Sequence, residues 1–150
     1  MRDPTLLPLS ILYTNSDEAV EGITRFQKLV FLAQEEILDQ EQYEDFRPDD
    51  YGPFSVDLYD DIDWLCDEGL VDCETSITEN GNDKQIYRLT DEGRELVEKM
   101  LRTSINNNEI PEEDLSHLNQ QYCDMPLLQL LKRIYLEHPE MAKNSRLNLI

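Results

Sequence analysis

Residues 55–70 read SVDLYDDIDWLCDEGL, carrying Asp57, Asp60, Asp61, Asp63, Asp67 and Glu68 and neither Lys nor Arg. Carboxylates at this density attract a basic surface and repel phosphate. Tyr59 and Trp64 lie among them, and large aromatic rings are the side chains on which protein interfaces anchor. We therefore read Asp57, Tyr59, Asp60, Asp61, Asp63 and Trp64 as candidate partner-binding residues. The opposite chemistry, contact with nucleic acid, has fewer groups to draw on. Arg25 and Lys28 read as the polar side of a preceding helix, and Lys84 and Arg88 bracket a later strand. Those four cations could touch phosphates on either side of a duplex. Pairing with neighbouring carboxylates competes for them.

Signs of catalysis are weak. His117 and His138 fall in separate C-terminal segments, without Asp or Cys at ligand spacing, and read as solvated or capping imidazoles. The pairs Asp49-Asp50 and Asp60-Asp61 could in principle hold a divalent cation. On a helix, however, adjacent residues diverge by about 100°, and the loop pair has no patterned series of ligands around a glycine. No phosphate-cradling glycine loop or nucleophile elbow is present. A non-enzyme is expected, with no catalytic residue, no metal and no cofactor.

A chain of 150 residues with 39% hydrophobic content suits one folded domain with a small appended element. Its net charge of −20 repels free nucleic acid at long range unless the basic groups gather on one face. The same charge has a second reading. Only Lys28, Lys84, Lys99, Lys132 and Lys143 supply lysine, and a carboxylate-rich surface of this kind also suits a protein working in concentrated salt. Both readings stand at this point. Cys66, Cys73 and Cys123 form no close ligand pair and no even framework, so free thiols in a reducing cytoplasm are expected. No stretch has the length to span a bilayer, and the apolar run at 6–12 is short and interrupted by Pro8.

The elements that must position these groups follow from periodicity and punctuation. Leu6, Leu7, Leu9, Ile11 and Leu12 predict a short helix, broken by Asn15-Ser16-Asp17-Glu18. Over 22–39, Ile23, Phe26, Val30, Ala33 and Ile37 recur at spacings of three and four, with Leu29 beside them, which predicts an amphipathic helix. Residues 43–51 read as irregular or briefly extended, with Gly52-Pro53 as a sharp turn and Tyr51 placed to pack on the second helix. Ser55 is a natural N-cap for the acidic helix, Leu58, Ile62 and Leu65 its buried face, and Gly69 its stop. Strands follow at 70–76 and 85–89, joined by a wing-like loop containing Asn80-Gly81. Thr90 or Asp91 then caps a helix bearing Leu96, Val97, Met100 and Leu101. A linker at 104–109 precedes a helix opened by Pro111, and a last helix over 125–137 carries Leu127, Leu128, Leu131, Ile134 and Tyr135.

The expected fold is mainly α with a small β-hairpin (α+β), a winged helix-turn-helix with additional N- and C-terminal helices. A winged-helix domain would span 1–103, and the 104–150 extension would pack on it or on a dimer partner.

Three segments carry a family resemblance. Arg25-Phe26-Gln27-Lys28-Leu29-Val30-Phe31-Leu32-Ala33-Gln34 matches a K-L-x-Y/F-L-x-Q helix, and Tyr51-Gly52-Pro53-Phe54-Ser55 matches a Y-G-P turn. Tyr87-Arg88-Leu89-Thr90-Asp91-Glu92-Gly93 closes the unit as Y-R-L-T-x-E-G. Together they resemble the Panacea-type antitoxin domain and related YwgA-like prokaryotic winged-helix proteins, over about residues 6–102. The segment from Leu130 through Pro139 to Glu140 is similar to the closing helix of the YwgA-like proteins. The resemblance implies neutralisation of a toxin by protein contact and transfers no catalytic residue. Our reading is a non-enzymatic regulatory protein acting through protein–protein contact, antitoxin- or adaptor-like, with a basic partner and a homodimeric state. The alternative is a DNA-binding transcriptional regulator using the wing and helix cations.

Overall fold

The computed structural model describes residues 5–146 except 16, 39–40, 78, 82 and 104–110. In chain order it runs α1 (Leu6–Tyr13), β1 (Ala19–Glu21), α2 (Ile23–Glu36), β2 (Arg47–Asp49), β3 (Gly52–Phe54), α3 (Val56–Asp67), β4 (Val71–Ile77), β5 (Asp83–Leu89), α4 (Asp91–Thr103), α5 (Glu112–Tyr122) and α6 (Leu127–Glu137), closed by a 3-10 turn at Pro139–Ala142. This is an α+β fold. One antiparallel sheet has the order β1-β5-β4, and β2 pairs with β3 in a separate hairpin. The 104–109 linker, and with it the expected domain boundary, lies outside the described residues.

The core is built around α2. Every residue from Phe26 to Gln34 is buried, so this helix is enclosed on all sides rather than carrying one apolar stripe. The amphipathic reading fails because three polar side chains inside the core have partners on the backbone of other segments. Gln27 donates from Nε2 to the Ser55 carbonyl and accepts the Ser55 N–H at its Oε1, both at 2.9 Å. Gln34 does the same for Tyr43, at 2.8 and 3.0 Å. Lys28 Nζ donates to the Pro53 carbonyl at 2.8 Å. A buried polar group is tolerable when it is bonded, and these bonds pin the chain on either side of the β2–β3 hairpin to α2. Lys28 and Pro53, which sit in two of the resemblance motifs, are thus one contact.

The turn of that hairpin falls at Asp50-Tyr51, and Gly52-Pro53 begin β3 instead of forming the turn. Gly52 has φ +91°, and a Cβ there would meet Leu131 Cδ2 at 3.0 Å and Lys28 Cε at 3.1 Å, so both angle and space demand glycine. Tyr51, in the turn, is half-exposed. The C-terminal segment holds the hairpin from outside: Arg146 N donates to the Asp50 carbonyl at 2.9 Å, and Asn144 Nδ2 to that of Pro48 at 3.2 Å.

Strand β1 is the element that the sequence reading missed. Three residues, Ala19, Val20 and Glu21, are too few for an alternation signal, yet they pair with Arg88, Tyr87 and Ile86 of β5. Strand β4 is shifted by one residue, to Val71–Ile77, and β5 is two residues longer than expected, starting at Asp83, which leaves a five-residue connection. Thr90 caps α4, its Oγ1 accepting the Gly93 N–H at 3.0 Å. Gly93 allows that helix to sit against β4: a Cβ there would lie 2.1 Å from the Leu70 carbonyl oxygen.

Helices α5 and α6 share the core of the preceding elements. Leu115, Leu118, Tyr122, Leu130, Ile134 and Tyr135 belong to the same hydrophobic cluster as α1 and α2. Asn119 Nδ2 donates to the Ile11 carbonyl at 2.9 Å. On α6 the buried set includes Leu130, while Leu128 is 57% and Leu136 61% exposed, so the apolar surface is split between a core face and a solvent face.

Candidate functional site

Helix α3 is held at both ends by local chemistry. Ser55 Oγ accepts the Leu58 N–H at 2.9 Å and donates to Asp45 Oδ1, while Asp45 Oδ2 accepts the Asp57 N–H at 3.0 Å. Burial alone would raise the Asp45 carboxyl. The hydrogen bonds from Ser55 and from the backbone at Asp57, Asp45 and Val56 outweigh it and hold this carboxyl below its usual range. A carboxylate at the positive end of a helix is stabilising. Asp45 was not among the sequence candidates, since nothing in a loop marks one Asp as a cap for a helix ten residues on.

The C-terminus closes as a Schellman turn. Leu70 N donates to the Leu65 carbonyl at 3.0 Å and Gly69 N to that of Cys66 at 3.2 Å, with Gly69 at φ +77°. Between these ends Leu58, Ile62 and Leu65 are buried, as their spacing predicts.

The opposite face is open. Val56, Asp60 and Trp64 form one row at four-residue spacing, and Tyr59, Asp63 and Asp67 form the next. All six are exposed, Tyr59 to 45% and Trp64 to 49%. Phe54, half-buried in β3, lies with its ring 6.0 Å from that of Tyr59 and extends the apolar patch beyond the helix. A cleft of about 500 Å³ opens beside Tyr59, lined by Gly22, Ile23, Lys84 and Leu127 among others. Four of the six candidates, Tyr59, Asp60, Asp63 and Trp64, therefore share one surface. Asp57 is exposed on the flank. Asp61 is half-buried and accepts a hydrogen bond from the Tyr43 hydroxyl at 2.8 Å, so it contributes to holding α3 in place.

Of the four candidate cations, Arg25 lines one cleft with Lys84 and another with Arg88, and Lys28 is set apart from them. Lys28 is enclosed within the core, at 2% exposure, and is not on a polar face. Burial lowers its pKa to about 7, against the pull of the Asp49 charge. Arg25 is half-buried and donates to the carbonyls of Met125 at 2.6 Å and Tyr122 at 3.3 Å, which fixes the α5–α6 connection. Lys84 pairs with Glu21 at 2.6 Å, and Arg88 is exposed on β5. A polar residue at helical spacing reads as outward-facing whether or not a distant carbonyl waits for it, which is why Lys28 was misplaced.

At the last turn of α3, Cys73 on β4 lies close enough to the Cys66 thiol to act on its ionisation. Burial, then the neighbouring Cys73, Asp63 and Asp67, pushes the Cys66 thiol up to about 12, a poor nucleophile at neutral pH. All three cysteines are free thiols.

A scan against protein-family models finds no match to this chain, and a search of the curated proteins finds none either.

Proposed function

We propose that this protein is a non-enzymatic regulator of the winged-helix type that acts through protein–protein contact, presenting α3 to a basic partner as an antitoxin or adaptor would. The architecture supports the winged-helix part. Helix, short strand, helix, helix and a two-stranded hairpin follow in order once the β2–β3 hairpin inserted between α2 and α3 is set aside, and the first strand joins the β4–β5 hairpin on the β5 side. In that frame α3 is the reading helix and the β4–β5 connection the wing.

The observation that carries the functional part is the outer face of α3: two half-exposed aromatic rings set among Asp60, Asp63 and Asp67. Exposed aromatics rimmed by one sign of charge suit a partner of opposite charge with an apolar centre. Duplex DNA fits less well, because Lys28 is enclosed in the core, Arg25 is bonded to the Met125 and Tyr122 carbonyls, and Lys84 is paired with Glu21. Exposed Leu128 and Leu136 on α6 suit a homodimer contact, and free thiols suit a reducing cytoplasm. Among the described residues no helix is long and apolar enough to cross a membrane.

The deciding experiment is affinity co-purification from the native host, comparing wild type with Tyr59→Ala/Trp64→Ala and with Asp60→Lys/Asp63→Lys. A basic protein retained by wild type and lost from both folded variants is the expected result. Retention by all three chains would mean that the carboxylates only keep the surface hydrated. A specific DNA mobility shift abolished by Lys84→Glu/Arg88→Glu would establish the transcriptional alternative instead.

A further inference from the structure

The C-terminal ends of α2 and α6 converge on the side chains of Glu36, Glu137 and His138. Glu36 ends α2, Glu137 ends α6, and His138 is the residue that caps α6. One ligand atom from each of the three lies within 4.8 Å of the other two, and among the described residues no other trio of His, Cys, Asp or Glu does this. The set is mixed, with an imidazole nitrogen beside two carboxylates, and it joins residues roughly a hundred positions apart in the chain.

Several independent features prepare this spot for a cation. The His138 ring stands edge-on to Phe31, with centroids 5.1 Å apart and planes at 81°, so the imidazole is held in place by packing. Two helix C-termini point their partial negative charge at the same place. Glu35 and Glu140 add carboxylates around it, with His138 Nδ1 3.7 Å from Glu140 Oε1. Against this, Arg133 Nη2 meets Glu137 Oε1 at 3.0 Å, a contact to one of that carboxylate's two oxygens.

We propose that Glu36, Glu137 and His138 form a binding site for a divalent transition-metal ion of the zinc class. The imidazole selects against magnesium and calcium, which take oxygen ligands and more of them. Three protein ligands would leave a fourth position for water, and the ion would clip the end of the buried helix α2 to α6. Glu36 and Glu137 are exposed and His138 half-buried, so the site opens to solvent and a metal can enter without unfolding. The inference is independent of the docking face on α3.

The test uses the full chain, stripped with a chelator and titrated with zinc chloride by calorimetry in excess magnesium, which occupies the general carboxylate surface. One zinc per chain is expected, with His138→Ala and Glu36→Gln each weakening it by more than about tenfold, the loss already typical of removing a supporting partner. His117→Ala serves as control and leaves the affinity unchanged. Cobalt(II) loaded in place of zinc gives a visible absorption band sensitive to nitrogen ligation, and this band changes in His138→Ala. Should His138→Ala fail to fold, the exposed Glu36→Gln variant and the zinc-dependent rise of wild-type Tm carry the test. No zinc binding above magnesium, or zinc affinity equal in wild type and Glu36→Gln, overturns the proposal.

Discussion

Helices α2 and α3 are neighbours with similar apolar periodicity and opposite fates. In α2 the polar side chains Gln27, Lys28 and Gln34 are buried, each donating to a backbone carbonyl of the chain that follows. In α3 most of the polar side chains face water, and Asp61 alone reaches inward, to Tyr43. Apolar spacing says which residues of a helix must be buried. It leaves open whether the others are exposed, because a distant carbonyl can satisfy a polar group inside the core as well as water can outside it.

The largest test of this contrast is Lys28. Below pH 7 the ammonium is charged in both folded and unfolded chains, and the cost of its burial is present in full. Between about pH 7 and the ordinary lysine value of 10.5 the unfolded chain keeps a proton that the folded one has lost, so the Lys28 contribution to stability rises with pH. Between pH 7 and pH 10 the rise is on the order of 3–4 kcal/mol, because each state is only partly titrated at the ends of the window. Denaturant titrations of wild type and Lys28→Met at pH 7 and pH 10 should show it in wild type alone. Equal pH dependence in both chains would mean that Lys28 is not enclosed.

Next comes Gln27→Leu. It strips the partner from the Ser55 N–H, while the Ser55 carbonyl keeps the Tyr59 N–H at 3.1 Å, and should cost about 1–3 kcal/mol by urea denaturation, the scale of one orphaned buried group. Trp64→Ala reverses the pattern: partner affinity should fall by about 2 kcal/mol, the scale of an interface anchor, with the fold intact by circular dichroism. A smaller effect belongs to the cap. Ser55→Ala should lower stability by about 1 kcal/mol, since it removes the acceptor for Leu58 N–H. Asp60→Asn and Asp63→Asn should change stability by less than about 0.5 kcal/mol, the range of surface substitutions without buried partners. A large loss there would show that the outer face of α3 is structural.

Much of the fold could be read from local signals. The Ser55 cap, the Leu58, Ile62 and Leu65 face, the Gly69 stop, the paired strands after it and the Thr90 cap all depend on residues within a turn or two of one another. The candidate docking face follows from the same information, since residues opposite a buried face at helical spacing are outward unless something reaches for them. Sequence placed the aromatic rings of that face but could not separate Asp61 from Asp60.

What the sequence by itself determined, then, is the helices and the β4–β5 hairpin, the acidic character of α3 and the scarcity of cations within it, because caps, turns and periodicity are short-range properties of the chain. Only the tertiary structure decided that β1 joins the sheet, that Lys28 is sealed against Pro53, that Cys73 lies close to Cys66, and that Glu36 faces Glu137 and His138. Each of those depends on bringing together segments whose spacing in the chain carries no signal, and the energy that fixes them is the burial of a shared core.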